Sequence, residues 1–311
     1  MLPGGVLGTS ASRKKGDQVR RNSIFTKRWV KGSAVLVATA ATLVFANPQQ
    51  AIATPLKGVD SATVSQSASN VVDIDFADGI KGRITFLEDG IFRYNVDPKG
   101  EFSDYATPRS KSHTAKIQAQ PDTSDTYSKP SATVADKGDT IEITGGKATV
   151  ILDKATGKMS IKSGDRVVVS ESASLDLDKK GTVQTLAKEK SENFFGGGTQ
   201  NGRFLHTNQT IAISNTNNWT DGGVASPNPF YWTSDGYGVL RNTFAEGSYD
   251  FGSTDSSTVT TLHSENEFDA YYFVATNEGA SNVATEMLQD YYKVTGNPVL
   301  LPEYGFYLGH L

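Results

Sequence analysis

From residue 71 to residue 275 the chain runs in short stretches whose apolar residues recur at every second position, each closed by Gly, Asp, Asn or Ser. That is the period at which side chains alternate across a β-strand, and it leaves little room for helices. Val72, Ile74 and Phe76 alternate with Asp73 and Asp75, while residues 83–87 (RITFL) and 91–96 (IFRYNV) flank Asp89-Gly90. An Asp-Gly pair between two alternating runs predicts a type I′ hairpin, whose two central residues both need a positive φ. The grammar returns in residues 147–152, 158–162 and 166–170, separated by DKATG and SGD, which predicts a three-stranded meander. Further strands are expected at 210–213, 230–233, 237–243, 257–262 and 267–275. No repeat of fixed length appears, so the pattern predicts an antiparallel all-β sandwich or barrel rather than a propeller or solenoid.

Between these runs, residues 103–140 are rich in Ser, Thr, Asp, Lys and Pro and read as a surface excursion holding one or two strands. One helix is expected. In residues 278–294, Val283, Met287, Tyr291 and Val294 share a face, Gly296 is placed to cap the end, and Asn297-Pro298 stops the helix. The last eleven residues, LPEYGFYLGHL, form a near-continuous apolar and aromatic run of the kind found in strands buried on both faces. The expectation is that a second domain begins at about Pro302 and continues past Leu311.

The start of the chain follows different rules. Residues 1–31 carry eight basic groups against one acid and lead into the uncharged residues 32–46 (GSAVLVATAATLVFA), followed by Ala51-Ile52-Ala53. A positive region, a short apolar region and a small-x-small end make a secretory signal pattern, with cleavage expected after Ala53. The alternative is an uncleaved anchor, although fifteen residues are short for a bilayer that needs about 20. Beyond residue 31 the chain holds 22 basic and 33 acidic groups, a balance that repels phosphate and argues against nucleic acid. There is no cysteine, which excludes disulfides, thiolate metal sites and cysteine nucleophiles. No cofactor or metal is expected.

Chemistry-bearing residues concentrate in residues 193–251: NFFGGGTQNGRF, SNTNNWTDGGVASPNPFYWTSDGYGVLRNTF and GSYDFG. Gly196, Gly197 and Gly198 permit tight geometry or close approach by a ligand or another chain, but their spacing fits no dinucleotide or phosphate loop. Asn217, Asn218, Trp219, Asp221 and Gly222, with Asn215 before them, suit a sugar: amides and a carboxylate for hydroxyls, an aromatic face for the apolar side of a pyranose. The same residue types are also what turns are made of. Asp73 with Asp75, and Glu265, Glu267 and Asp269, alternate along strands where paired carboxyls could approach glycosidase spacing, but a polar strand face is the simpler reading. Asp73, Asp75 and Asp78 resemble a calcium loop only loosely, and His113, His206, His263 and His310 lie in no triad motif.

The string from Asn193 to Gly252, with PFYW at 229–232, GYGV at 236–239 and YDFG at 249–252, resembles the pre-barrel domain of glycoside hydrolase family 31. EFDAYYF at 267–273, YKVTG at 292–296 and Leu301-Pro302 extend the likeness, and the wording GGGTQNGRF is most similar to the secreted bacterial branch that transfers α-glucosyl units. The resemblance implies an all-β, galactose-mutarotase-like β-supersandwich over residues 71–296 with one C-terminal helix, cut at the start of a (β/α)8 barrel at 297–311. It follows a signal peptide at 1–53 and a flexible lead-in at 54–70. It implies retaining hydrolysis or transglucosylation of an α-glucan or α-gluco-oligosaccharide by a secreted enzyme whose two catalytic aspartates lie in the barrel, so this chain alone is expected to be inactive. The family's N-terminal domain sends a loop over the barrel mouth, and residues 215–223 match it. Gln200 stands where other branches carry Glu, so acceptor preference does not transfer. The rival expectation is a free-standing carbohydrate-binding or cell-surface sandwich without catalysis.

Overall fold

The period-two patterning is resolved into three antiparallel sheets, one of them stacked against the other two. The computed structural model describes residues 62–102, 122–178, 181–276 and 280–298. Its first strands are β1 (Thr63–Ala68), β2 (Val71–Asp75), β3 (Lys81–Glu88) and β4 (Ile91–Asp97). Next come β5 (Ala132–Asp136), β6 (Thr140–Gly145), β7 (Ala148–Asp153), β8 (Met159–Ser163) and β9 (Arg166–Ser170). Then follow β10 (Asp176–Asp178), β11 (Gly181–Ala187), β12 (Phe194–Gln200), β13 (Thr210–Ile213) and β14 (Val224–Thr233). The series ends with β15 (Tyr237–Arg241), β16 (Gly247–Asp250), β17 (Thr258–His263), β18 (Phe268–Val274) and one helix, α1 (Ala280–Thr295).

The large sheet has the order β1-β2-β3-β4-β18-β15-β14-β12; the smaller ones run β10-β11-β17-β16-β13 and β5-β6-β7-β8-β9. One face of the large sheet meets both small sheets. There Val72, Phe92, Tyr94, Tyr231 and Tyr272 pack with Ile143, Leu152 and Ile161 from one small sheet and with Leu186, Tyr249 and Val259 from the other. Strands β6 and β7 alternate strictly between buried and partly exposed residues, as half-covered strands should. Strand β18 is buried at every position, because it sits mid-sheet with the sandwich core on one face and α1 on the other.

The helix covers the outer face. Val283, Met287 and Val294 are buried with Phe230, Leu240 and Phe273, and the Tyr291 ring stacks on Phe230 at 4.3 Å. Gly296 adopts φ +86° and donates its N–H to Tyr292 O at 2.8 Å, closing the helix as a left-handed cap does. The expected meander is β7-β8-β9.

Two expectations are corrected. The lead-in over 54–70 contains β1, which pairs along β2 from Thr63↔Asp75 to Ala68↔Val71. It is an edge strand with five of its six residues exposed, so it carries no apolar alternation to read; backbone pairing holds it. The Asp89-Gly90 hairpin forms, but neither residue takes a positive φ, so it is not type I′. A register shift between Phe86 and Glu88 adjusts the strands instead. Gly90 is needed for another reason: a Cβ there would lie 2.4 Å from Val274 O. Among the described residues no helix is long and apolar enough to cross a membrane. The signal pattern at 1–53, residues 54–61 of the lead-in, residues 103–121 of the excursion, and the run 301–311 with His310 lie outside the described residues, as does His113.

Candidate functional site

The three glycines lie inside β12, the edge strand of the large sheet, with φ of +113°, +75° and +76°. Gly196 and Gly198 serve close approach by the neighbouring strand, and Gly197 leaves room for the Ile211 side chain on β13. A Cβ on Gly196 would stand 2.5 Å from Phe230 O, and one on Gly198 2.3 Å from Ser226 O, both on β14. The pairing of β12 with β14 shifts register twice there, and the irregular strand delivers its last residue, Gln200, beneath the turn that follows.

Gln200 is buried, and its Nε2 donates to Gly197 O and to Ala212 O, each at 2.9 Å. Both N–H groups are therefore spent on backbone carbonyls, tying β12 to β13. A carboxylate has no donor to offer in that place.

Above it, residues 214–223 form the loop between β13 and β14. Its base is closed by Thr216, whose N and Oγ1 both donate to Val224 O. Inside the loop, Asn215 Oδ1 accepts from Asn217 N at 2.8 Å, and Asn217 takes a positive φ of +49°. Asn218 Oδ1 accepts from Thr220 N and Thr220 Oγ1 at 3.0 and 2.7 Å, the side-chain mimic of a turn. Trp219 Nε1 donates to Asn217 Oδ1 at 3.2 Å, which orients the indole while leaving the residue 72% exposed. Asp221 and Gly222 close the loop, with Gly222 at φ +78°.

All five residues singled out from the sequence thus lie on one loop, but in different roles. The carbonyl oxygens of Asn217 and Asn218 are committed inside the loop, whereas among the described residues their Nδ2 groups meet no acceptor. Trp219 offers its ring, Asp221 its carboxylate, and Gly222 only the backbone turn. Beside the loop opens a groove of about 670 Å³, reached by Asn215 and bounded by Gly198, Asn228, Asn242, Phe244 and Tyr291. Phe244 and Asn242 stand at the end of the string SNTNNWTDGGVASPNPFYWTSDGYGVLRNTF but were not singled out within it. The signal that could have found Phe244 is an aromatic inside a polar turn, and it is 58% exposed.

Of the carboxylates read as alternating along strands, Glu265 and Glu267 lie in the turn before β18 rather than on a strand, and Asp73, Asp75, Glu265 and Asp269 are held by cations. Arg83 Nε bonds Asp73 at 2.7 Å, which with Ser67 keeps its carboxyl below the usual range against the opposing effect of burial, and Lys81 pairs with Asp75. Arg93 forks onto both oxygens of Asp269 at 2.7 and 2.6 Å, and Asn242 Nδ2 donates to the same carboxylate. Buried Arg241 reaches Glu265 at 3.0 Å. His206 Nε2 lies 3.0 Å from Gly196 O, and burial holds its pKa below the ordinary value. His263 bonds Ala245 O and Tyr249, and burial lowers it to about 3, so its imidazole is neutral. Among the described residues no group of three His, Asp or Glu is placed to hold a metal ion.

Comparisons place this architecture. A family described as the glycosyl hydrolase 31 N-terminal galactose mutarotase-like domain matches residues 81–250, more than half of the chain. An α-xylosidase of Emericella nidulans is 30% identical over 130 residues, 41% of this chain and 16% of the relative. A solved GH31 dextranase from Flavobacterium johnsoniae, complexed with isomaltotriose, superposes with a TM-score of 0.65 at 17% identity, over 80% of this chain and 29% of that one. A cycloalternan-forming enzyme from Listeria monocytogenes in complex with a pentasaccharide gives a TM-score of 0.62 at 15% identity, over 80% of this chain and 23% of that one. The chain therefore spans less than a third of each of these proteins, and the structural likenesses, at such identities, speak to the fold. On the match across residues 81–250 and the mutarotase-like sandwich built by those strands, the chain belongs to the glycosyl hydrolase 31 family, as its N-terminal galactose mutarotase-like domain.

Proposed function

We propose that this chain is the N-terminal part of an exported enzyme that acts on α-glucosides by retaining hydrolysis or by transfer of the glucosyl unit to another sugar, and that the 214–223 loop contacts that sugar. The observation that carries the reading is Trp219, an indole 72% exposed on a loop whose Asn217 and Asn218 side-chain oxygens are spent on bonds within the loop that orient it. An aromatic face left in water pairs with the apolar C–H face of a pyranose, burying area that neither partner can bury alone. The N–H groups of Asn217 and Asn218 and the carboxylate of Asp221 then meet hydroxyls, donors and acceptors in one patch. The saccharides bound by the structural relatives support the ligand class.

Retaining chemistry needs a carboxylate that displaces the leaving sugar to form a glycosyl ester, and a carboxylic acid that protonates the departing oxygen and then deprotonates water or the acceptor sugar. In this domain Asp73, Asp75, Glu265 and Asp269 are each bonded to Arg or Lys. The match to the family's N-terminal domain supports assigning both catalytic carboxyls to a barrel beyond this domain, with this domain roofing its mouth. Export rests on the basic, apolar and small-residue order of residues 1–53.

The test is titration of the purified chain with isomaltotriose, followed by tryptophan fluorescence, beside assays of α-glucoside turnover. The expected result is a saturable change that Trp219→Ala abolishes, with no turnover by the chain alone. Turnover by the chain alone would overturn the division of labour, and an isomaltotriose response identical in Trp219→Ala would overturn the sugar contact. Reading the coding DNA past Leu311 separates the enzyme, which requires barrel strands ending in Asp, from a free-standing binder.

A further inference from the structure

Beyond the Thr216–Val224 bonds that close its base, the loop that presents Trp219 is held from outside by Asn201. Asn201, the residue after buried Gln200, makes four hydrogen bonds to it. Its Nδ2 donates to Asn218 O at 2.7 Å and to Thr220 O at 3.0 Å. Its backbone N donates to Gly223 O at 3.0 Å, and its backbone O accepts from Gly222 N at 2.9 Å. The loop is thus gripped on both sides of Trp219, at positions 218 and 220, by two hydrogens of a single amide.

The holder itself is anchored. Gln200 is fixed in the sandwich by its bonds to Gly197 O and Ala212 O, and Arg203 N donates to Gln200 O at 3.0 Å, closing a turn with Asn201 and Gly202 at its centre. Gly202 takes φ +74°, and a Cβ on it would fall 1.6 Å from Asp221 Oδ1. The Asp221 carboxylate therefore lies directly over the Gly202 α-carbon, in space that only glycine leaves open. Asn201 and Gly202 together set the heights of Trp219 and Asp221.

We infer that Asn201 is a positioning residue: its side-chain amide holds the 214–223 loop in the form that meets sugar, without touching the sugar itself. This rests on the sugar-contact reading given above. An amide is required because two carbonyl oxygens must each receive a hydrogen. Aspartate has nearly the same shape but no donor, and its charge would face both carbonyls. Loss of two bonds of ordinary net strength lowers the population of the held loop, and with it the apparent affinity, by about tenfold.

The experiment incorporates 5-fluorotryptophan into the full chain and follows the Trp219 resonance, assigned with Trp219→Phe, by fluorine NMR in wild type, Asn201→Asp and Asn201→Ala. Isomaltotriose affinity is measured in parallel. The expected result is a Trp219 resonance shifted or broadened in both variants while Trp232 stays in place, with affinity about tenfold weaker. Trp232 lies in the sheet and reports whether the sandwich is intact; should Asn201→Asp disturb it, Asn201→Ala supplies the reading. An unmoved Trp219 resonance overturns the holding role, and a moved resonance with unchanged affinity overturns its bearing on binding. If wild type shows no isomaltotriose effect, the sugar contact fails, and the holder stands or falls on the resonance alone.

Discussion

Replacing Glu171 by Gln should invert an ordinary expectation, because deleting this charge stabilises the protein at neutral pH and leaves it nearly unchanged in acid. Glu171 follows β9 in the sandwich interior, 6% exposed. Its Oε2 accepts from Met159 N at 2.9 Å and its Oε1 from Gln184 Nε2 at 2.7 Å, with Tyr272 bonded to the same Gln184. Burial, opposed only in part by those two bonds, raises its pKa from 4.5 to about 7. The folded state therefore binds this proton more tightly than the unfolded chain does. The group's contribution is complete below pH 4.5 and is lost as pH rises through about 7. A shift of that size corresponds to ~3 kcal/mol, at about 1.4 kcal/mol per unit. Gln keeps one acceptor for Met159 N, while its amide N–H finds an acceptor when Gln184 turns over, so the network survives without the ionisation. The assay is urea unfolding of wild type and Glu171→Gln at pH 5, 6.5 and 8. The difference between the two proteins should move in favour of the variant by ~2.5 kcal/mol across that range, the remainder of the shift having been lost below about pH 5. Comparing them at each pH cancels the other groups, including Glu192, which burial also raises to about 7. A difference that stays flat from pH 5 to pH 8 would refute the argument.

Gln200→Glu should cost ~3 kcal/mol by urea unfolding, since it removes two donated bonds and puts a carboxylate against the carbonyls of Gly197 and Ala212; a loss under about 1 kcal/mol would contradict the bracing role. Gly196→Ala should lower stability by at least ~2 kcal/mol, because its Cβ would meet Phe230 O at 2.5 Å and its φ is +113°; thermal unfolding reads this directly. The His263 imidazole should stay neutral well below pH 6.5 in NMR titration, and the stability tied to it is present above pH 6.5 and declines, by up to about 1.4 kcal/mol per unit, as pH falls toward about 3. Trp219→Ala should change unfolding free energy by under about 0.5 kcal/mol, its side chain being exposed, so any effect on saccharide binding is not an effect of folding.

Much of the fold was legible. The alternation at Val72, Ile74 and Phe76 places three side chains in the core, and Val283, Met287 and Val294 bury one helix face at the expected steps. Strand β6 was missed although Ile141 and Ile143 alternate with polar residues, and β11 because Thr182 and Gln184 are buried in place of apolar residues. Strands β1, β10 and β16 were missed, and β12 was not recognised as a strand, for a shared reason. They are short, polar or glycine-rich, and backbone pairing rather than side-chain patterning holds them. The candidate loop was legible as a cluster, because Asn, Asp, Gly and Trp stand together at 215–223. Which atoms of it remain open was not, since that depends on internal bonds such as Asn217 Oδ1 to Trp219 Nε1.

The order of residues along the chain determined which side chains share a strand face, where the helix starts repeating, and where turns interrupt both, because these depend only on neighbours two to four positions apart. The folded arrangement decided the rest. It brought Arg93 to Asp269 across 176 positions, turned Gln200 into a brace, and enclosed Glu171 until its acidity changed. It set Asn201 under a loop seventeen residues away in the chain. Those outcomes follow from which surfaces exclude water together, and that is a property of strands that meet only after the chain has closed on itself.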